Sequence, residues 1–481
     1  MKRQRRRSPF GRVLRGAIRL VIAFVLFHVI AGYAPFAVLP APGADLLVQA
    51  EQRADEMQRD ITTGDRAMLL ERGTDGLDAR IQLIEQAREE IVIVTYECHD
   101  GRSTRDILAA AMAKADQGVR VRFLVDGIAG RLDHMGADLF RAVAAHPNVE
   151  VRFYNLISPL TPWKHMGRMH DKYVIVDDTA FILGGRNMFD KFLGDYETPV
   201  RSLDREVLVW NSDGSADSSL FALRAYFEGM WSHEETSVHL VDALSDARCQ
   251  AVYDSLSDQL EGLRAKRPEL FTPLALESVT VPTHGVWLIA NPTTIYAKQP
   301  AAFCQLAALM RRAKRDVVLH SPYAVLNGYM RSTLSGVAAQ VPLTLMVNAV
   351  NTGANVVAGS DYLYHRTGVL STGVHLLEKY RGDSYHGKAA AIDDRISVIG
   401  SFNQDMRSAY IDTELMLVIR SPEINARLRG YLDALHGDCR EITDDSAPAF
   451  PEGDAVAQVP LWKRIAMYAM GALLQPFRNL L

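Results

Sequence analysis

The chain has 481 residues, 48% hydrophobic and 23% charged, with a formal net charge of −4. That length and apolar content suit a globular protein with two cores and rule out a disordered or collagen-like chain. Eight basic residues and no acid lie in the first 19 positions, so residues 45–481 keep 45 basic side chains against 57 acidic ones, a net of −12. An acidic body is a poor general nucleic-acid binder, because affinity for the backbone comes largely from Lys and Arg neutralising phosphates. Nucleic acid is therefore not expected as a partner.

The basic start is followed by LVIAFVLFHVIAGYAPFAVL, a run without formal charge and about long enough to cross a bilayer. Residues 1–44 are read as a basic flank with a membrane anchor. His28 and Pro35 weaken the run, and a cleaved signal peptide with secretion stays open as the alternative. The basic flank stays in the cytoplasm and sends the rest outward. In a Gram-negative source this means the bacterial inner membrane, with the body on the periplasmic side.

A first unit, residues 45–245, opens with a lead-in helix. It continues with an amphipathic helix over about 76–88, a buried strand Ile91 to Glu97, a helical pattern over about 104–117, and a strand ending at Asp126. Residues 246–285 connect it to a second unit, 286–437, and TPLALESVTVPTHGVWLIANP (272–292) leads into that unit's first strand. The second unit repeats the order: a helix near 303–314, VVLHSPY ending at Tyr323, a helix near 327–339, and VPLTLMVN ending at Asn348. Strands alternating with helices imply parallel-type α/β sheets, and the long-period repeat implies duplication. The tail, 438–481, holds an amphipathic helix with Leu461, Ile465, Tyr468 and Ala472 on one face and Trp462, Lys463 and Arg464 near its start. It is too short to span a membrane and either docks on the body or lies among headgroups.

The reactive pattern occurs twice. HDKYVIVD carries His170, Lys172 and Asp177, and HGKAAAID carries His386, Lys388 and Asp393. Each copy is followed after the same gap by a glycine turn and an Asn, GGRN to Asn187 and GSFN to Asn403. One copy alone would pass for an ordinary polar strand end; two with matched gaps do not. In an extended strand, residues i and i+2 share a face, so each His and its Lys project together. Two such pairs could enclose one phosphate with two imidazoles and two ammonium groups. The four cysteines show no CxxC or Cys/His metal spacing, and no metal or other cofactor is called for. Cys98 and Cys304 lie in apolar stretches as expected buried thiols; whether one disulfide forms, and the oligomeric state, stay open.

This paired pattern resembles the HKD motifs of the phospholipase D superfamily over about residues 70–437. The resemblance implies an α/β fold of two repeated α/β/α sandwich domains, with the active site on their pseudo-twofold seam. It implies a phospho-histidine intermediate, with His170 as nucleophile and His386 as acid/base, although spacing alone does not say which His attacks. Lys172 and Lys388 would hold the phosphate, assisted by Asn187, Asn403 and Ser401. Glu206 in DREVLVW and Glu414 in DTELMLVI are expected to orient the two imidazoles. Asp177 and Asp393 complete the motifs and are expected to brace their own loops. Gly185 stands where the family usually has Ser, implying one lost hydroxyl contact. The run SFNQDMRSAYIDTEL resembles that of bacterial cardiolipin synthases, with Asp412 for the usual Asn; Arg407 and Ser408 there line the acceptor side or hold the loop. The tail resembles that of the C-type synthases. Asn351, Asn355, Tyr362 and His365 are headgroup candidates.

The implied activity is a membrane-associated phosphatidyltransferase making cardiolipin from phosphatidylglycerol or a related phospholipid. The alternatives are a phospholipase D releasing phosphatidic acid and, third, an exported phosphodiesterase or nuclease. The expected partners are phospholipids and a membrane.

Overall fold

The computed structural model describes residues 9–61, 63–130, 138–238, 244–444 and 459–481; the first basic residues lie outside them. Helix Pro9–Tyr33 carries the uncharged run, and Val13–Phe36 is long and apolar enough to cross a membrane by length and composition. Below it, Phe36 is buried in the body.

The first unit contributes strands β1 (Asp65–Leu70), β2 (Glu90–Thr95), β3 (Arg120–Asp126), β4 (Val149–Tyr154), β5 (Tyr173–Val176), β6 (Ala180–Gly184), β7 (Ser202–Leu203), β8 (Glu206–Asn211) and β9 (Thr236–Val238). With β10 (Val281–Pro282) they form a nine-stranded sheet, ordered β10-β1-β8-β6-β5-β2-β3-β4-β9, which β7 does not enter. The second unit contributes β11 (Val286–Ala290), β12 (Val317–His320), β13 (Ala324–Val325), β14 (Leu343–Asn348), β15 (His375–Lys379), β16 (Ser384–Tyr385), β17 (Ala389–Ile392), β18 (Ile396–Gly400), β19 (Gln404–Asp405), β20 (Leu415–Arg420) and β21 (Cys439–Ile442). Its eight-stranded sheet runs β11-β20-β18-β17-β12-β14-β15-β21.

Helices Gly73–Gln86, Arg102–Asp116, Ala301–Met310 and Gly328–Ala338 lie where hydrophobic periodicity puts them. The sheets are mixed, not purely parallel. Within the two large sheets, among the described residues, β2-β3-β4 and β12-β14-β15 run parallel and the other neighbours antiparallel. The motif strands β5–β6 and β17–β18 are antiparallel pairs, because a turn of three residues cannot make a parallel crossover.

Strands β2, β5 and β17 are buried throughout, since helices cover one face of each sheet and, on the other, helix Ser219–Trp231 or Pro422–His436 packs together with the opposite repeat. One apolar cluster joins Val92, Val94, Ile175 and Phe227 of the first repeat to Ala391, Ile399, Leu417 and Leu428 of the second. Chain order and packing part company at the lead-in helix Ala44–Met57. It packs on the second repeat, with Ala50, Ala54 and Met57 beside Phe303 and Leu306, and Glu51 paired to Arg311 and Arg312. Helix Asp246–Lys266 lies on the first repeat through Leu256, Leu260 and Leu263. Among the described residues no cysteine is in a disulfide, and Cys98 and Cys304 are buried.

Candidate active site

Each histidine is tied by its backbone to the other repeat. Thr413 N donates to Arg168 O (2.9 Å), and His170 N donates to Thr413 Oγ1 (3.2 Å). On the other side, β16 pairs with β7, and His386 N donates to Leu203 O (2.7 Å). The residue after each contact is an acid, and it faces the imidazole just reached. His170 Nδ1 lies 2.9 Å from Glu414 Oε1, and His386 Nδ1 lies 2.6 Å from Asp204 Oδ2. Both of these histidine–carboxylate pairs are thus formed across the seam. A carboxylate on Nδ1 leaves Nε2 as the free nitrogen of the ring.

Glu414 is where the sequence reading puts it; Glu206 is not. Glu206 is fully buried against Arg80 (2.5 Å) and Arg186 (3.2 Å), away from either histidine. The register explains the shift: Gly184 lies opposite Glu206, whereas Gly400 lies opposite Met416, two residues beyond Glu414. Asp204 is therefore the structural counterpart of Glu414. Asp204 and Glu206 are two residues apart, so side-chain alternation read along the sequence could not separate them, although Asp204 lies in the gap between β7 and β8. The glycine of GGRN was the available signal. A Cβ on Gly185 would sit 2.4 Å from Asp204 Oδ1, so the short Asp and the bare glycine fit together. In the second repeat Ser401 Oγ instead donates to Glu414 Oε2 (2.5 Å). The Ser401 hydroxyl thus supports the carboxylate that faces His170, and the bare Gly185 leaves room for the one that faces His386.

The motif's other residues divide by position. Lys172 Nζ donates to His170 O (2.5 Å), and Lys388 Nζ donates to His386 O and lies 3.1 Å from His386 Nε2. Asn187 and Asn403 line the same cavity as both histidines. Asn187 Nδ2 donates to Glu97 Oε2 (3.2 Å), while Asn403 Oδ1 is buried with no hydrogen-bond partner among the described residues. Asp177 and Asp393 stand at the far ends of their strands. Asp177 accepts from the backbone N–H groups of Arg88, Glu89 and Glu90, and Asp393 from those of Lys314, Arg315 and Asp316. They hold loops and do not face the cavity.

Arg407 lines the cavity, held by Asp412 Oδ2 at 2.8 Å, an ion pair that the Asp in place of Asn makes. Ser408 Oγ donates to Glu414 Oε1 (2.6 Å). Of the headgroup candidates, Asn355 and Tyr362 line the cavity, but Tyr362 hydroxyl donates to Glu378 and Asn355 caps its helix at Ala358 N. Asn351 donates to Tyr380 O and His365 pairs with Gln475, and neither lines the cavity. Sequence reasoning missed Asp204 and two rings: Tyr96 lies edge-on to His170 at 5.1 Å, and Phe192 is tilted against His386 at 5.0 Å.

Burial lowers both imidazoles, with the facing lysines adding to it: His170 falls well below its ordinary value and His386 to about 4. Burial also lowers Lys172 to about 8 and Lys388 to about 7. The two carboxylates differ. Burial acts to raise Asp204, but Lys388 and His386 outweigh it and hold the carboxyl far below its usual range. Burial pushes Glu414 well up, against Lys172 and the two serine hydroxyls. An imidazolium is accordingly better supported at His386 than at His170. The cavity, of about 430 Å³, leaves 12% of the His170 side chain and 23% of His386 exposed.

The family model described as "Cardiolipin synthase, PLD-like domain" matches residues 80–231 and 306–436, both repeats of the chain. The chain belongs to that family. Among family relatives, it is 26% identical over 392 residues to cardiolipin synthase C of Escherichia coli (strain K12), covering 73% of this chain and 80% of that protein. To cardiolipin synthase B of Salmonella typhi it is 24% identical over 405 residues, covering 80% and 84%. It is also 25% identical over 403 residues to an uncharacterized protein of Helicobacter pylori (strain ATCC 700392 / 26695), covering 76% and 78%. The solved phosphatidylserine synthase of Haemophilus influenzae Rd KW20 shares the fold, with a TM-score of 0.62 at 14% identity over 90% of this chain and all of that one.

Proposed function

We propose that the protein is a membrane-associated phosphatidyltransferase that joins a phosphatidyl group to a lipid alcohol, making cardiolipin from phosphatidylglycerol or a related phospholipid. The observation that carries this reading is the pair of histidines in one cavity, each with Nδ1 on a carboxylate of the opposite repeat and a lysine beside it. Lys172 and Lys388 offset the phosphodiester charge that repels a nucleophile and stabilise charge in the transition state. His170, the imidazole whose partner acid least supports a cation, attacks phosphorus through Nε2. The phosphorus–nitrogen bond forms as the bond to the headgroup oxygen breaks, and His386 gives that oxygen a proton. An incoming lipid hydroxyl then gives its proton to His386 and bonds to phosphorus, and the bond to His170 breaks. The bound phosphate raises His386 from its low value, since an anion beside an imidazole favours the protonated form.

The names of the relatives support lipid over nucleic acid as substrate, as does the acidic body. The apolar N-terminal helix supports membrane attachment, with the body on the periplasmic side of a bacterial inner membrane. The deciding experiment supplies purified protein with phosphatidylglycerol, with and without phosphatidylethanolamine, and reads products by mass spectrometry beside His170→Ala. Cardiolipin dependent on His170 is the expected result. Phosphatidic acid alone would make the enzyme a phospholipase, with water as acceptor, and would overturn the transferase reading.

A further inference from the structure

The helix Leu461–Leu474 has two unlike sides. Its inner side meets helix Val356–Leu370 backbone to backbone: a Cβ on Gly471 would fall 2.7 Å from Ser360 O, and Met467 is buried and reaches the lining of the catalytic cavity. Its outer side is apolar and uncovered, with Leu461, Trp462, Ile465 and Leu473 between 61% and 76% exposed. Residues 459–481 contain Lys463, Arg464 and Arg478 and no acid, whereas the body as a whole is acidic.

The same region abuts the foot of the N-terminal helix. The ring of Phe477 lies edge-on to Tyr33 at 5.3 Å, and Asn479 Nδ2 donates to Ala37 O at 2.8 Å. Beside the foot, His28 Nε2 donates to Pro159 O at 2.8 Å, which seats a loop whose Leu160 is 83% exposed and whose Trp163 is 37% exposed. Apolar side chains therefore surround the point where the N-terminal helix meets the body, and the inner side of the same C-terminal helix borders the cavity through Met467.

We infer that the outer face of Leu461–Leu474, together with the loop carrying Leu160 and Trp163, docks in the headgroup–acyl boundary of the bilayer that the N-terminal helix enters. A lipid then reaches the cavity beside Met467 without leaving the membrane. This last step rests on the proposed lipid activity; the docking does not. A bilayer is favoured over a protein partner because the patch is continuous with the N-terminal helix and carries Lys463 and Arg464 at its edge, Arg478 being paired with buried Asp361 at 2.8 Å. An apolar face with flanking basic residues is the form of an interfacial helix.

The test uses the full chain in vesicles of phosphatidylglycerol and phosphatidylethanolamine whose acyl chains carry bromine just below the headgroups. Tryptophan emission is expected to be quenched, and the quenched fraction to fall in Trp462→Phe and again in Trp163→Phe. Emission from Trp462 that is insensitive to brominated lipid while the chain is vesicle-bound would overturn the docking. So would exposed-face variants that abolish a dimer in sedimentation without changing the quenching. The double variant Ile465→Glu/Leu473→Glu is expected to lose about tenfold in turnover of vesicle lipid, with a soluble short-chain phosphodiester turned over as before. Equal loss on both substrates would overturn the lipid-access role. If quenching is seen and no phospholipid is turned over, the docking stands and the proposed activity falls.

Discussion

Asp204 and Glu206 are two residues apart and both fully or nearly buried, yet one holds His386 and the other is enclosed by Arg80 and Arg186. Their replacement should separate chemistry from stability. Asp204→Asn keeps the shape but not the charge that supports an imidazolium, and kcat should fall by about 10²-fold or more. Glu206→Gln should leave kcat near the parent's but cost about 3–5 kcal/mol, because it strips a buried guanidinium of its counter-charge. Steady-state kinetics and denaturant midpoints on both variants check this; the reverse pattern would reassign the two acids. The lysines set a pH dependence. Both are held low, Lys388 to about 7 and Lys172 to about 8, so each is charged below its value and neutral above it. Phosphate binding should therefore be present on the acid side and be lost as pH rises through this window. A kcat/KM profile should show an alkaline limb near these values. A profile flat through that window would mean the lysines do not bind the substrate's charge.

The motif hairpins β5–β6 and β17–β18 turn at Asp177 and Asp393, whose φ angles of 48° and 51° lie in the left-handed region. Asp tolerates that backbone better than most residues, and here its carboxylate also gathers three N–H groups from the turn before β2 or β12. Asp177→Ala should cost about 2–3 kcal/mol through lost hydrogen bonds and backbone strain, with kcat of the folded enzyme unchanged. Denaturant melts beside activity measured well below the midpoint would show it; a large loss of kcat at full folding would place Asp177 in the chemistry. The elements themselves were legible because apolar periodicity is a local property. The mixed direction of the strands was not, because pairing depends on which segments meet and not on either alone.

Across the whole molecule, the repeats share one apolar seam and exchange the acids that orient their histidines. Neither repeat holds a complete site. The lead-in helix Ala44–Met57 adds a further tie, since it precedes the first repeat in sequence and packs on the second. Thermal unfolding should be one cooperative transition, with calorimetric and van't Hoff enthalpies equal. Two separated transitions would show that each repeat is stable without the seam.

From the residues alone came the duplication, both histidine–lysine pairs, the strand and helix order, the burial of Cys98 and Cys304, and the N-terminal apolar helix. These depend on spacing and periodicity, which a chain carries wherever it folds. Only the tertiary structure decided that Asp204 and not Glu206 serves His386, that Ser401 supports Glu414, and that Asp412 pairs with Arg407. Each of these partnerships depends on strand register or on contact between distant segments. Register is settled when two strands meet and bury their apolar faces together.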